Sequence, residues 1–419
     1  MVAGGDEMER RFRRAKSLYI DSRQVLALLL VACMLSTVLG CQAIRLPGGL
    51  GPTAPKSPAP TRPAEPPKPK GKVRVSLAVV GDIIMHMPQV EAGQLPGGGY
   101  DFKDFFKEVK PLIEQADIAL CNFETTVSTP QRGYTGYPCF KSPEAILEAL
   151  KHAGFDVATT ANNHAFDAGE FGVVNTCEKL DQYGFLHTGS ARSAEERDKV
   201  LMVSRNGINV AVVAYTYGTN GMEGTIRKDR LPFMVNLWMD LEVVKKDIQK
   251  ARQAGADVVV ACVHWGPEYV RKPDEVQKRT ATQFLDAGAD IIFGSHPHVL
   301  QPMERRTVTR DGKEKDAFII YSLGNFISNQ RNETTRYTDS GIILNLEVIK
   351  DLDSGAISIG QVTYVPTWVD RYASGGKFRY RVLPVGRFMD QTTGYQKQRL
   401  QAVWKETTGL MGDKFEAIR

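Results

Sequence analysis

Short apolar runs alternate with segments of helical spacing along the chain from Val73 onward. The runs VRVSLAVVGD, DIALCNFE, FDVATTANNH, INVAVVAYTY, ADVVVACVHWG and ADIIFGSHPH predict buried strands. The intervening segments DFFKEVKPLIEQA, PEAILEALKHAG, GVVNTCEKLDQYG, NLWMDLEVVKKDIQKARQAG and DEVQKRTATQFLDAG predict helices. This alternation indicates an α/β domain in which helices cover a mostly parallel sheet.

The pattern changes after His298, where strand-like runs follow one another. The runs DAFIIYSLGNFI, GIILNLEVIK, AISIGQVTYVPTWV and KFRYRVLPV predict antiparallel strands. We expect them to form a second sheet packed on the first, which gives a four-layer α-β-β-α sandwich with mixed sheets. A final helix, roughly Tyr395 to Thr407, is expected to close the domain or lie on its surface, within a helical extension over residues 386–419.

The first 72 residues differ from the rest of the chain and predict export. The basic stretch MERRFRRAK precedes an uncharged apolar run, Val25 to Gly40, that is short for a membrane span. Because this run leads into VLGC, residues 1–40 are predicted to be a lipoprotein-type signal peptide with lipidation of Cys41; the alternative is an uncleaved signal anchor. Residues 41–72 are rich in proline and predict an extended tether. We therefore expect the folded part, residues 73–385, to be extracytoplasmic and anchored to the cell membrane.

The composition favours a globular protein and argues against nucleic-acid binding and cysteine-based scaffolds. Hydrophobic residues make up 42% of the chain and charged residues 24%, which is usual for a globular protein. The net charge of +5 is small for 419 residues, and no stripe of Lys and Arg is interleaved with aromatic residues, so no nucleic-acid partner is expected. The six cysteines form no CxxC pattern, which argues against a disulfide scaffold or a cysteine-bound zinc, and Cys139 and Cys177 are left as a possible pair.

Polar residues that can bind metals follow one predicted strand after another, in the stretches GD, NFE, ANNHAFDAG, HWGPEY, GSHPH and SLGNF. Ligand sites in α/β sheets form outside the carboxyl ends of the strands, so these side chains are expected to converge. Carboxylate, carboxamide and imidazole groups without cysteine suit a divalent cation such as Mn²⁺, Zn²⁺ or Fe²⁺. The donors are too numerous for one closed zinc site and suit two ions that share a bridging carboxylate and clamp an ester between them.

The order and types of these motifs resemble the calcineurin-like metallophosphoesterases, and more closely the CapA family of bacterial capsule and poly-γ-glutamate synthesis proteins. The marks of that family are GD, N-φ-E, NNH..D.G, HWG.EY, G.HPHV and SLGNF, where φ is apolar. All of them occur here in order, between about Val73 and Val385. Together they are highly specific, although each alone is weak. The resemblance implies a sandwich of the metallophosphoesterase type.

The resemblance also implies a role for each matched residue. The implied metal ligands are Asp82 and His298 for a first ion, Asn163, His264 and His296 for a second, and Glu124 as the bridge between the two. His164 would stand beside the substrate as the catalytic acid or as a donor to the transition state. Further residues of the same motifs would support these ligands or contact substrate: His86, Asn122, Asn162, Asp167, Trp265, Glu268 and Asn325.

The chain departs from the wider superfamily at two positions. The Asp-x-His of the first strand is missing because position 84 is Ile, and Glu124 stands where the superfamily has Asp. A weakly held first metal, or a site with a single metal, follows from these departures. His86 is a candidate substitute for the missing histidine, with a loop position as the alternative.

The resemblance implies a role in the synthesis of poly-γ-glutamate or a capsule polysaccharide-type polymer, with a metal-dependent hydrolase site. An anionic polymer or a phosphoester is the expected substrate, and a capsule-synthesis membrane complex is the expected partner. Two other functions fit the same residues. The protein could be a non-catalytic surface-binding or scaffold protein on this fold, or a phosphatase of phosphomonoesters or nucleotides.

Overall fold

The structure is a computed structural model that describes residues 70–310 and 312–419. The predicted signal peptide, the lipidation of Cys41 and nearly all of the tether lie outside these residues and stay predictions. Within the described part of the chain, no helix combines the length and the apolar character needed to cross a lipid bilayer.

The secondary structure follows the predicted alternation. The strands of the described residues are β1 (Lys72–Ile83), β2 (Ile118–Phe123), β3 (Thr126–Val127), β4 (Lys141–Ser142), β5 (Val157–Thr159), β6 (Leu186–Thr188), β7 (Leu201–Arg205), β8 (Ile208–Thr216), β9 (Val258–His264), β10 (Ile291–Ser295), β11 (Leu300–Arg310), β12 (Lys313–Leu323), β13 (Asn325–Ile327), β14 (Ser340–Asp351), β15 (Ile357–Ser374), β16 (Lys377–Pro384) and β17 (Glu416–Ala417). The helices are α1 (Met87–Ala92), α2 (Lys110–Ile113), α3 (Ala145–His152), α4 (Gly169–Gln182), α5 (Ala194–Arg197), α6 (Leu231–Met234), α7 (Leu241–Gln253), α8 (Glu275–Ala287), α9 (Val385–Met389) and α10 (Gly394–Met411).

Two mixed sheets form the centre of the fold. The first has the order β16-β15-β14-β1-β2-β5-β6, with β13 beside β1 and β17 beside β15. The second has the order β11-β12-β10-β9-β8-β7. In each sheet, strands that precede His298 in the sequence continue into strands that follow it, with β14 antiparallel to β1 and β12 parallel to β10. The sequence predicts that the late strands form a sheet of their own, but the structure divides them between both sheets.

Buried apolar clusters define four layers and confirm the predicted sandwich. Between the sheets, side chains such as Leu77 of β1 and Val212 of β8 pack together. On the outer face of the first sheet, Leu150 of α3 belongs to a second cluster. On the outer face of the second sheet, Ile248 of α7 and Phe284 of α8 complete a third. Each sheet thus buries one face against the other sheet and the opposite face under helices.

The helix predicted for DFFKEVKPLIEQA is broken in the structure. Only a 3₁₀ turn, Lys103–Phe105, and the short helix α2 form there. Pro111 lies at the start of α2, where its missing N–H does no harm, but the same residue cannot continue a helix that arrives from Asp101. The turn buries Phe105 and Phe106 in the core of the first sheet.

The C-terminal segment adds both a helix and a strand to the sandwich. Helix α10 is longer than predicted and packs Leu400 and Val403 against Trp368 and Leu383 of β15 and β16. Strand β17 then pairs in parallel with β15. The thiols of Cys139 and Cys177 are both free in the structure.

Candidate metal centre

The carboxyl ends of parallel strands from both sheets meet at one edge of the sandwich. Asp82 lies near the end of β1, and Glu124 follows β2 directly. His264 is the last residue of β9, the neighbour of β10 in the second sheet. Because these strands run in the same direction within each sheet, their ends bring side chains that are far apart in sequence into contact.

The six predicted metal ligands form one buried cluster. Atoms of Asp82 and His298 (Oδ2 and Nδ1) lie 3.1 Å apart, and those of His264 and Glu124 (Nε2 and Oε1) lie 3.5 Å apart. The amide oxygen of Asn163 is 2.8 Å from His264 Nε2. All six side chains belong to residues that are at most 4% exposed: Asp82, Glu124, Asn163, His264, His296 and His298.

The side chains divide into two sets that share Glu124. Glu124, His264 and His296 each offer a ligand atom within 4.8 Å of the others, and so do Asp82, Glu124 and His298. This division matches the one implied by the resemblance, with Glu124 between the two positions. A third set at the mouth of the cluster joins the exposed Glu268 to His296 and His298. The roles of these residues as ligands stay predictions.

Two buried atoms in the cluster have no hydrogen-bond partner among the described residues. They are Glu124 Oε1 and His296 Nδ1. A buried polar atom without a partner costs about 1–3 kcal/mol, and more for a charged group, so such atoms are rare without a reason. Both atoms are electron-pair donors of the kind that binds Mn²⁺, Zn²⁺ or Fe²⁺. The residues present therefore fit a divalent cation.

Burial acts in opposite directions on the two carboxyl groups. Burial and the nearby negative charge of Asp82 raise the pKa of Glu124 well above its usual range. Burial also raises the pKa of Asp82, but the hydrogen bond with His298 and the charge of that ring outweigh it and leave the pKa below its usual value. The His298 ring thus favours the charged form of Asp82, and the negative charge of Asp82 in turn favours the neutral form of Glu124.

The histidines differ in charge for the same reasons. Burial lowers the pKa of His264 to about 3, and burial together with the neighbouring rings lowers the pKa of His296 well below its usual value. Burial acts in the same sense on His298, but the carboxylates of Glu124 and Asp82 raise its pKa to about 9. The neutral imidazoles of His264 and His296 can bind a cation directly, whereas His298 must first release a proton, since metal ligands must be deprotonated.

Asn122 and Asp167 fix the orientation of the central groups. The amide of Asn122 donates to Asp82 Oδ1 at 2.8 Å and to Glu124 Oε2 at 3.1 Å, so it holds both carboxylates. His164 Nδ1 lies 2.7 Å from Asp167 Oδ2, which leaves Nε2 as its other polar atom. Asn162 accepts from the backbone N–H of His164 at 3.1 Å. Such contacts set the tautomer and the direction of a ring.

The turn after β10 explains how two histidines separated by one proline both reach the cluster. His296 has φ of 97° and His298 has φ of 56°, which are left-handed values that few residues other than glycine adopt. The two rings lie 5.8 Å apart, and they point to different ligand sets. Positive φ at two functional residues separated by one proline is backbone strain that the surrounding structure must maintain.

The side chains of Asn325 and His86 are held by hydrogen bonds with the backbone. Asn325 is buried, pairs with Asp82 across the β1–β13 ladder and donates to the Thr338 carbonyl at 2.7 Å. His86 caps α1 and accepts from the backbone N–H of Asn329 at 3.3 Å. Among the described residues, His86 joins none of the ligand sets, and Ile84 is buried in the core.

The prediction of a substrate contact for Trp265 is wrong. Its indole is 1% exposed, lies in the core under α8 and donates to the Tyr321 carbonyl at 2.9 Å. Consecutive side chains at a strand end point to opposite faces, so the residue after His264 turns away from the cluster.

Sequence reasoning missed two residues at the same edge. The ring of Tyr217 lies 4.7 Å from that of His296 and stacks on His264 at 6.4 Å. Asn220 accepts from the amide of Asn163 at 3.3 Å. Both follow β8 in the stretch YTYGTN, so the rule that ligand sites follow parallel strands was sufficient to find them.

The fold and the site define an α/β sandwich protein with a buried cluster of potential metal ligands at its strand ends. Residues 76–330, more than half of the chain, match the family described as bacterial capsule synthesis protein PGA_cap. The chain belongs to this family, which confirms the resemblance found in the motifs.

Two curated relatives carry related descriptions. The capsule biosynthesis protein CapA of Bacillus anthracis is 31% identical over 290 residues, which cover 68% of this chain and 66% of that protein. The PGA biosynthesis protein CapA of Bacillus subtilis is 32% identical over 273 residues, which cover 64% of this chain and 67% of that protein. The match thus spans just under two thirds of the Bacillus anthracis protein.

A solved structure described as a novel phosphatase from Mycoplasma pneumoniae overlaps with 70% of this chain and 93% of its own. The sequence identity is 14% and the TM-score is 0.40. This overlap is too loose to assign an activity to the chain.

Proposed function

We propose that this protein is a metal-dependent hydrolase of the cell surface that cleaves an acidic polymer of the poly-γ-glutamate or capsule type. One observation carries the proposal. Glu124 Oε1 and His296 Nδ1 are buried without a hydrogen-bond partner in the described part of the chain, inside a cluster of carboxyl and imidazole groups. A structural polar cluster would satisfy these atoms internally, whereas a ligand set leaves them for a cation.

Some residues of the cluster would bind the metal ions, and others would donate the proton and position its donor. Glu124, His264, His296 and Asn163 would hold one divalent ion, and Asp82 and His298, with Glu124, would hold another. When bound, such ions polarise the bond to be cleaved and make water a better nucleophile. His164 would donate the proton that the leaving group needs, and Asp167 would hold its ring in the required tautomer.

The predicted signal peptide and lipidation of Cys41 support a location outside the cytoplasm, at the cell membrane. An acidic polymer that grows at the cell surface would meet the site there. A capsule-synthesis membrane complex is the partner that this location and the family membership favour.

The test is direct exposure of γ-linked glutamate polymer to the purified full-length chain with Mn²⁺ or Zn²⁺. We expect the polymer to shorten, chelation to stop the shortening, and His164→Ala to abolish it while metal content stays unchanged. A parallel panel of phosphomonoesters separates this function from that of a phosphatase. Polymer that stays full-length in the presence of a metal-loaded protein would refute the hydrolase proposal.

A second candidate function, non-catalytic binding of the polymer, is favoured by one feature. Ile84 is buried where the wider superfamily provides a further histidine, so the Asp82 and His298 position has fewer donors. Under this alternative, the protein would bind the polymer with a metal in place and leave its length unchanged.

A further inference from the structure

A polar cavity of about 260 Å³ lies beside the candidate metal centre. Its walls come from the loop after β13 and from strands β15 and β16, with Tyr395 of α10 at one side. Its polar and charged lining includes Asn329, Gln330, Arg331, Glu333, Arg371 and Tyr395. No residue of the predicted ligand set lines it.

Gln330 joins this cavity to the metal centre. Its amide oxygen accepts from Asn325, the residue that pairs with Asp82, at 2.8 Å. Its amide nitrogen lies 3.5 Å from the hydroxyl of Tyr269, whose ring is 6.0 Å from that of His298. Gln330, with its contacts Asn325 and Tyr269, therefore lies between the cavity and the ligand cluster. A chain-like substrate with one unit at the metal centre would place a neighbouring unit here.

Two guanidinium groups make the cavity suitable for a carboxylate. Arg371 lies 4.2 Å from the centre of the Phe378 ring and forms no ion pair among the described residues. Arg331 pairs with Glu333 at 3.3 Å, on a rim where both side chains are more than 40% exposed. Arginine presents paired N–H donors that match the two oxygens of a carboxylate.

The carboxylate of Glu333 already occupies the position in which a carboxylate of the substrate would bind. Its carboxylate interacts with Arg331 and accepts from the hydroxyl of Tyr395 at 2.6 Å. The other acidic residue of the lining, Asp339, is engaged below the surface: it accepts from the buried Arg399 at 2.8 Å and from Trp368 at 2.9 Å. The exposed carboxylate of Glu333 is thus the one that an external carboxylate would replace.

We propose that this cavity is a substrate subsite that binds a carboxylate of the acidic polymer through Arg331 and Arg371, one unit away from the metal centre. The inference rests on the proposed function and names the group that the site recognises next to the reacting unit. It assigns Glu333 the role of an internal competitor for the same position.

The test measures binding of short γ-linked glutamate oligomers to the full-length chain by calorimetry. The matched ligand is the oligomer of γ-linked isoglutamine, which has the same backbone with each α-carboxylate of the repeat replaced by a neutral amide. We expect Arg331→Gln/Arg371→Gln to weaken binding of the acidic oligomer about tenfold or more, because charge-assisted hydrogen bonds are lost. We expect Glu333→Gln to tighten it several-fold, since the competitor is removed.

Arg336→Gln/Lys377→Gln is the matched control, because both residues are exposed, lie outside the cavity and remove the same charge. Equal weakening in this control, or equal binding of the neutral oligomer, would overturn the subsite and leave only general attraction. Unchanged affinity in the cavity variant, with polymer shortening intact, would overturn the subsite and leave the proposed function standing. A wild-type chain that neither binds nor shortens the acidic polymer would overturn both.

Discussion

At the scale of single residues, Glu124 has the properties of a ligand and not those of a structural carboxylate. It is fully buried, one of its oxygens has no partner among the described residues, and its pKa is raised by burial and by Asp82. Buried charges are kept in folded proteins when they are paired or bind metals, because removing them from water is costly. The cost of this carboxylate is explained if a cation completes the site.

The substitution Glu124→Gln tests whether Glu124 is a metal ligand. We expect the metal-free variant to unfold at the same temperature as the wild type or higher, since a buried group that favours the neutral form is replaced by a neutral isostere. We expect the stabilisation that Mn²⁺ or Zn²⁺ gives the wild type to be lost. Thermal unfolding with and without metal measures both, and Glu178→Gln, at an exposed glutamate of helix α4 that joins none of the ligand sets, is the control. A variant that keeps the full metal-induced shift would contradict the assignment.

Asp167→Asn tests how His164 is positioned. Removing the charged partner of Nδ1 is expected to lower kcat by about 10–100-fold, a usual range for such contacts. KM and metal content are expected to stay near the wild-type values, because Asp167 joins none of the ligand sets of the described residues. Steady-state kinetics of polymer cleavage with elemental analysis checks this. Loss of metal in parallel with activity would point instead to a collapsed site.

At the scale of secondary-structure elements, strand β10 and the turn after it bring His296 and His298 to the cluster. Gly294 lies against the backbone of β12, where an added Cβ would come within 2.0 Å of the Tyr321 carbonyl oxygen. The glycine lets β10 approach its neighbour closely, and this approach sets where the strained turn begins. The geometry of the two histidines thus depends on packing at Gly294, two residues before His296.

Gly294→Ala is expected to destabilise the protein by about 3 kcal/mol, since the backbone contact cannot relax as a flexible side chain would. Chemical denaturation measures the change. The matched control is Gly409→Ala in helix α10, where an added Cβ meets no atom within 4 Å. That change should stabilise the helix by up to about 1 kcal/mol. Equal effects at the two positions would refute the packing argument.

Helices and strands with a clear apolar periodicity were predictable from the sequence. The edge of the sheets at which the polar residues after the strands meet was also predictable. The strand that carries Asp82 and the helices over the second sheet follow from local pattern alone. The left-handed φ of His296 does not, because it is set by neighbours that are distant in sequence. The burial of Trp265 was open to prediction, since it follows from the alternation of side chains after His264. The division of the late strands between two sheets could not be predicted either. The alternation of apolar and polar residues indicates a strand, but it does not indicate which strand pairs with it.

At the scale of the whole molecule, the C-terminal helix α10 is connected to both loops that flank the site. Arg399 of α10 binds Asp339, which follows the loop after β13 and begins the return into β14. Arg271, from the loop that carries Glu268 and Tyr269, donates to the Glu406 carbonyl of α10 at 2.8 Å. The helix thus links the two walls of the site, one from each sheet.

The Arg399–Asp339 pair gives a prediction at this scale. Arg399→Met alone leaves a buried carboxylate without its partner, and we expect a loss of about 3 kcal/mol in the free energy of unfolding. The double variant Arg399→Met/Asp339→Asn should recover part of it, because the amide still accepts from Trp368. Denaturation of the single and double variants measures the coupling. Additive losses would mean that the two residues act independently.

The central claim is that the strand-end cluster binds a divalent metal. Elemental analysis of the purified full-length chain, beside His296→Ala/His298→Ala, tests it most directly. The account predicts close to one or two transition-metal ions per wild-type chain, and a folded double variant without them. A well-folded wild type that stays metal-free after incubation with Mn²⁺ or Zn²⁺ would contradict it.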